Sequence, residues 1–218
     1  MPASQTLPVT NLTQADRIRL PLRFDAVGLQ ADCAKLEEAD WIAHFVEQNY
    51  EGAWSIFPLR APVGTTHPIL MATANIGDEF VAAPWLSRFP AMAEALGRFE
   101  CQLYSARLMR LDPGSRIKPH SDPDLNLAAG TIRLHVPVTT NPDVDFRLNG
   151  RRVDMAPGET WFLRLSDVHE ITNAGSTPRI HLVIDCQVND WLVEQLVSGI
   201  QAQESSQPRP CPSAVDSR

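Results

Sequence analysis

Thr131-Ile132-Arg133-Leu134-His135-Val136-Pro137 is the stretch on which the reading of this chain turns. Apolar and polar side chains alternate along it. Successive side chains of an extended strand point to opposite faces, so Ile132, Leu134 and Val136 share one face while Arg133 and His135 share the other. On either side the same β character continues. Leu103–Leu111 alternates loosely and ends at Asp112-Pro113-Gly114, a turn signal. Residues 146–153 place Asn149-Gly150 between two alternating runs, the pattern of a type I′ hairpin. Pro157-Gly158 turns the chain into a strand at 160–165, and 179–186 is the last strand. Short strands with turns this dense predict a mainly β domain with flanking helices, a sandwich or barrel with helices packed outside.

Toward the N-terminus the pattern is mixed. Residues 17–24 alternate basic and apolar, and Pro21 places that strand at a sheet edge. From 27 to 46, Leu29, Cys33, Leu36, Trp41, Ile42 and Phe45 follow helical spacing with one break near Asp40, which puts His44 on a helix. A strand is expected at 54–60. Residues 61–81, rich in Pro, Gly and Thr and holding His67, read as a long loop, either a substrate-binding segment or an ordinary surface excursion. A short helix at 91–99 and an amphipathic closing helix at 190–201 complete the elements. Residues 1–13 read as a loose arm, 14–202 as a single domain with its β core at about 103–187, and 203–218 as a disordered Ser/Pro/Gln tail.

Bulk properties narrow the partners. The chain has 218 residues, 44% hydrophobic and 21% charged, enough to bury a core without staples. A net charge of −7 argues against a phosphate backbone as partner. Cys33, Cys101, Cys186 and Cys211 are scattered without metal-type or disulfide spacing. With no export signal and no apolar run of spanning length, a cytoplasmic protein bound to neither membrane nor nucleic acid is expected.

The chemistry gathers around Pro119-His120-Ser121-Asp122-Pro123. In an extended segment His120 and Asp122 face one point and offer an imidazole nitrogen and a carboxylate oxygen. His169, in Asp167-Val168-His169-Glu170, opens a later strand that can return to the same barrel mouth. Two histidines and one carboxylate with open positions form the donor set of non-haem Fe(II) oxygenases. Arg179 leads the last strand and shares a face with His181 and Val183. An inward arginine is costly unless paired, and a ligand carboxylate is one such partner. The same reasoning applies to Arg133 and His135. Arg107 and Arg110 cannot both point inward, and Asp185 is expected to pair with a basic neighbour or to cap the strand end. Core packing is the expected role of Trp54, Trp85 and Trp161.

His120-x-Asp122, His169 and Arg179, with 131–137 between them, resemble the aspartyl/asparaginyl β-hydroxylase family, over a span from about Trp54 to Trp191. The resemblance implies a double-stranded β-helix, Fe(II), and 2-oxoglutarate and O2 as co-substrates. It makes His120, Asp122 and His169 the metal-binding and catalytic triad. Arg179 would bind the distal carboxylate of 2-oxoglutarate with help from His135, and Arg133 would lie at the carboxylate of the substrate. The animal enzymes that name the family carry glycine where this chain has Asp122. The full triad is similar to that of the bacterial amino-acid hydroxylases of the family. Hydroxylation of an amino acid or similar carboxylate-bearing small molecule, with succinate and CO2 as co-products, is therefore the expected activity. Hydroxylation of Asp or Asn residues in a protein, and a non-catalytic cupin-like module binding a metal or organic acid, are the rival readings.

Overall fold

The 131–137 alternation is realised as β8 (Thr131–Thr139), an interior strand of a large antiparallel sheet. The computed structural model describes residues 9–65 and 79–206. Its strands form two sheets. The larger runs β1 (Arg17–Arg23), β11 (Glu159–Leu163), β8, β13 (Arg179–Gln187), β6 (Leu103–Leu111), β4 (Trp54–Pro62), β2 (Ile42–Ala43), with β5 (Phe80–Ala82) paired to β4. The smaller runs β10 (Arg151–Arg152), β9 (Val144–Leu148), β12 (His169–Asn173), β7 (Arg116–His120), β3 (Tyr50–Glu51). This is a double-stranded β-helix of the cupin type, mainly β with flanking helices.

Period-two alternation divides the large sheet's side chains between two cores. Ile132, Leu134 and Val136 of β8, with Ile180, Leu182 and Ile184 of β13, pack into a cluster with α2 (Ala26–Cys33), α3 (Pro90–Gly97) and α4 (Asp190–Ser206). The opposite faces look into the barrel, where Met109, Leu111, Leu163 and Val183 meet Ile117, Phe146, Leu148 and Ile171 of the small sheet. Burying both faces of one sheet is what fixes its register, because a slip of one residue would exchange the two sets. Arg133, His135, Arg179, His181 and Asp185 all fall on the barrel side by this parity.

Turn chemistry holds where it was expected. Asn149 (φ 53°) and Gly150 (φ 69°) make the left-handed turn between β9 and β10. Gly158 (φ 78°) lies so close to the edge strand that a Cβ would sit 2.4 Å from the Phe24 carbonyl oxygen. β1 does take the sheet edge, with an irregularity between Leu20 and Arg23 around Pro21.

One expectation fails, and two of the expected boundaries fall within helices. The helical spacing over 27–46 yields α2 only as far as Cys33, then a 3₁₀ turn at Glu38–Asp40, β2, and a second turn at Glu47–Asn49. His44 is therefore in extended chain rather than on a helix. The arm boundary at residue 13 falls inside a short helix, α1 (Val9–Gln14), whose Leu12 is buried. The tail boundary at 203 falls inside α4, which continues to Ser206. Residues 1–8, 207–218 and 66–78, the last including His67 and most of the expected loop, lie outside the described residues.

Candidate active site

Antiparallel pairing of β7 with β12 sets His120 directly opposite His169, with ring centroids 4.2 Å apart. Asp122 follows β7, and its backbone N–H donates to the Leu165 carbonyl at 2.8 Å, which draws the turn toward the start of β12. One ligand-capable atom from each of His120, Asp122 and His169 lies within 4.8 Å of the others. Nδ1 of His120 contacts the Lys118 carbonyl at 2.8 Å and Nδ1 of His169 the Asp167 carbonyl at 3.0 Å. A carbonyl can only accept, so both Nδ1 atoms carry the proton and both Nε2 lone pairs are left for a metal. Burial also depresses the pKa of His169 to about 4, keeping the ring in its ligating neutral form. Nitrogen, nitrogen and oxygen donors with Nε2 atoms preset in this way fit a divalent transition metal.

The triad opens on a cavity of about 470 Å³. On its floor Arg133 and Asp185, opposite one another on β8 and β13, form a two-pronged pair: Nε to Oδ1 at 2.6 Å and Nη2 to Oδ2 at 2.9 Å. The third nitrogen of Arg133, Nη1, donates to Asp122 Oδ2 at 2.8 Å. Arg107 completes the group, 3.3 Å from Asp185 and hydrogen-bonded to Ser105. Burial alone would raise the pKa of Asp185, yet Arg133 and Arg107 hold it down to about 2. Arg133 is raised above its ordinary value, burial being outweighed by Asp185 and Asp122.

Arg179 differs. It is 2% exposed and has no ion pair among the described residues. Its Nη2 meets Nδ1 of His181 at 2.8 Å, its guanidinium lies 5.7 Å from the centre of the Phe146 ring, and its Nε has no partner. Burial pulls its pKa down. His135 Nε2 is likewise buried and unpartnered. Burial, then the Arg179 charge, holds the pKa of His135 and His181 well below the usual imidazole range. A buried cation beside neutral rings, with orphan polar atoms on two residues that line the cavity, suits a ligand carboxylate.

All six residues singled out in the sequence (His120, Asp122, His169, Arg133, His135 and Arg179) line this one cavity. Four others were missed or assigned elsewhere. His44 stacks on Trp54 with ring centroids 3.5 Å apart, and both line the cavity. Trp54 belongs to the barrel core as expected and also lines the cavity, its Nε1 buried without a partner among the described residues. Arg107 points inward, whereas Arg110 points outward to Asp112 and Glu38. Parity with Leu111 would have separated the two arginines had the facing of β6 been known. Phe146, expected only as a hairpin residue, lies under Arg179. Trp85 and Trp161 pack as expected, their N–H groups donating to Pro58 O and Glu159.

With that geometry in hand, comparisons with known proteins are specific. The profile of the family described as aspartyl/asparaginyl beta-hydroxylase matches residues 26–188. An L-proline cis-4-hydroxylase of Rhizobium meliloti is 28% identical over 166 residues, 75% of this chain and 58% of that protein. The chain thus spans little more than half the length of that relative. A crystal structure of a 2OG-Fe(II) oxygenase family oxidoreductase from Burkholderia pseudomallei superposes with a TM-score of 0.52 at 16% identity, covering 81% of this chain and 88% of the other. At that identity the likeness speaks for the fold.

Proposed function

The chain belongs to the aspartyl/asparaginyl β-hydroxylase family, and from that premise we propose that it is an Fe(II)- and 2-oxoglutarate-dependent dioxygenase that hydroxylates a free amino acid. The observation that carries the reading is the pairing, in one cavity, of an open two-histidine, one-carboxylate cluster with a buried arginine that has no counter-ion among the described residues. A metal-binding module has use for the first alone. The second fits the distal carboxylate of a 2-oxo diacid.

His120, Asp122 and His169 would hold the metal through two Nε2 atoms and a carboxylate oxygen. Arg179 would take the distal carboxylate of 2-oxoglutarate, and His135 in its Nε2–H tautomer would donate to the same ligand. Iron with bound 2-oxoglutarate supplies the oxidation, in which substrate, O2 and 2-oxoglutarate give hydroxylated product, succinate and CO2. The chain's part is to orient and to exclude water. Met109, Ile117, Phe146, Leu165 and Ile171 give the cavity apolar walls. The Trp54–His44 stack offers a flat wall for an aliphatic ring or chain. The relative's printed activity makes L-proline the first substrate to try.

Among the described residues no helix is long and apolar enough to cross a membrane, and Cys33, Cys101 and Cys186 are free thiols. The free thiols agree with the cytoplasmic location that belongs to this reading. The test is a panel of the twenty amino acids, with short Asp- and Asn-containing peptides, scored for Fe(II)-dependent succinate release. L-Proline or another free amino acid should stimulate release, and His169→Ala or Asp122→Ala should abolish it. Stimulation by peptides alone, or undiminished turnover in His169→Ala, sinks the proposal.

A further inference from the structure

Each of the three proposed ligands is oriented by a contact that leaves one atom for the metal. For His120 and His169 that contact is a backbone carbonyl two residues earlier, which no substitution of a side chain removes. Asp122 has no such anchor. It lies beyond the end of β7 in a turn closed by Leu125 N–H on its carbonyl, and its side chain is 30% exposed. A carboxylate in that setting can rotate, or can chelate a metal through both oxygens and consume a position that the co-substrate needs. The one side-chain contact on it among the described residues is Arg133 Nη1 at 2.8 Å from Oδ2, which leaves Oδ1 open.

Arg133 is itself immobilised. Its remaining two nitrogens grip Asp185 on the neighbouring strand in fork geometry, and Asp185 is in turn held by Arg107. Two cations and two carboxylates therefore form a closed, electrically neutral chain from Arg107 through Asp185 and Arg133 to Asp122. Every nitrogen of the Arg133 guanidinium already faces a carboxylate. A substrate carboxylate placed there would be the third anion on one cation. We infer that Arg133 is a positioning residue for Asp122: it holds Oδ2 so that Asp122 meets the metal through one oxygen, and it does not bind the substrate. This rests on the metal site proposed above.

Mn(II) binding by the purified apoprotein, without 2-oxoglutarate or any substrate, tests the inference directly. Outer contacts of this kind are worth roughly 10- to 100-fold in metal affinity. Arg133→Met should weaken Mn(II) binding by about that factor. In an Asp122→Ala background the same substitution should change it by less than about twofold, since contacts that act through one another are not additive. Parental Mn(II) affinity in Arg133→Met, or an equal loss in the Asp122→Ala background, overturns the assignment. If Arg133→Met does not fold, Arg133→Lys serves instead. A single ammonium cannot serve both carboxylates, so a loss of about threefold to tenfold is expected. Unchanged Mn(II) affinity with a raised KM for the amino acid would return Arg133 to substrate binding. His169→Ala is the control: if it too keeps parental Mn(II) affinity, the metal site itself is misread, whatever Arg133 does.

Discussion

Two arginines on adjacent strands of one sheet face into the same barrel and live in opposite electrostatic worlds. Arg133 has a carboxylate on every nitrogen, and its charge is neutralised within the fold. Arg179, on β13, has an imidazole, an aromatic ring and an orphan Nε. Sequence logic treats them alike, as inward cations needing a partner. The structure separates them by where the partner comes from. The neutralised arginine is held by carboxylates of the fold, and the bare one is the cation we propose for a ligand. An unpaired buried charge is tolerated only where something arrives to offset it.

The most severe way to break this contrast is to remove Arg179. Arg179→Met should weaken 2-oxoglutarate binding, measured calorimetrically with Mn(II) present, by about 100-fold, the value of a lost charge-assisted double hydrogen bond. Mn(II) affinity should stay at the parental level, because no ligand of the triad touches Arg179. Arg179→Lys should recover only part of the loss, a point charge in place of a fork. A change in 2-oxoglutarate affinity below about threefold would mean that the bare cation serves something else.

Stability sharpens the contrast by giving the two positions opposite signs. Arg133→Met strands Asp185 and Asp122 as buried or half-buried anions and should cost about 3 kcal/mol in urea unfolding of the apoprotein. Arg179→Met removes a buried cation that has no counter-ion among the described residues and should leave the apoprotein unchanged or more stable by about 1 kcal/mol. Destabilisation by both substitutions to the same extent would show that Arg179 has a hidden partner in the fold.

How far the sequence foretold this arrangement depends on the range of the interactions involved. β8 and the Asn149-Gly150 turn were legible because their signals are local, an alternation and a dipeptide. His120 and Asp122 were legible for the same reason, and His169 by its place at the head of a strand. The run 27–46 misled because its apolar residues pack on separate surfaces. Trp41 meets Phe57 and Arg110, Ile42 joins the barrel cluster, and Phe45 lies exposed against His44. Their spacing imitates a helix without one shared face to bury. Arg107 was undecidable because β6 is covered on both sides, so Leu108 and Met109 are equally apolar and erase the alternation. The partner of Arg133 was out of reach for another reason. Asp185 lies opposite it only through the β8–β13 register, which no local pattern reports.

The narrowest test concerns pH, and it probes the neutralised arginine alone. Asp185 would be raised by burial, but Arg133 and Arg107 bring it from 3.8 down to about 2. Between those values the unfolded chain binds a proton at this position and the folded chain does not. Stability therefore rises with pH across this window, is fully present above about 4, and is lost as pH falls through about 2. The depression corresponds to something on the order of 2 kcal/mol. Other carboxylates titrate in the same range, so the quantity to follow is the difference in unfolding free energy between the wild type and Asp185→Asn. That difference should shrink by about 2 kcal/mol from pH 4 to pH 2, as the wild-type carboxyl becomes neutral like the amide. It should be flat from pH 5 to pH 8, where Asp185 is ionised in both states. A difference that stays constant down to pH 2 would mean that Asp185 carries no net charge opposite Arg133, and the neutral chain reaching to Asp122 would lose its central link.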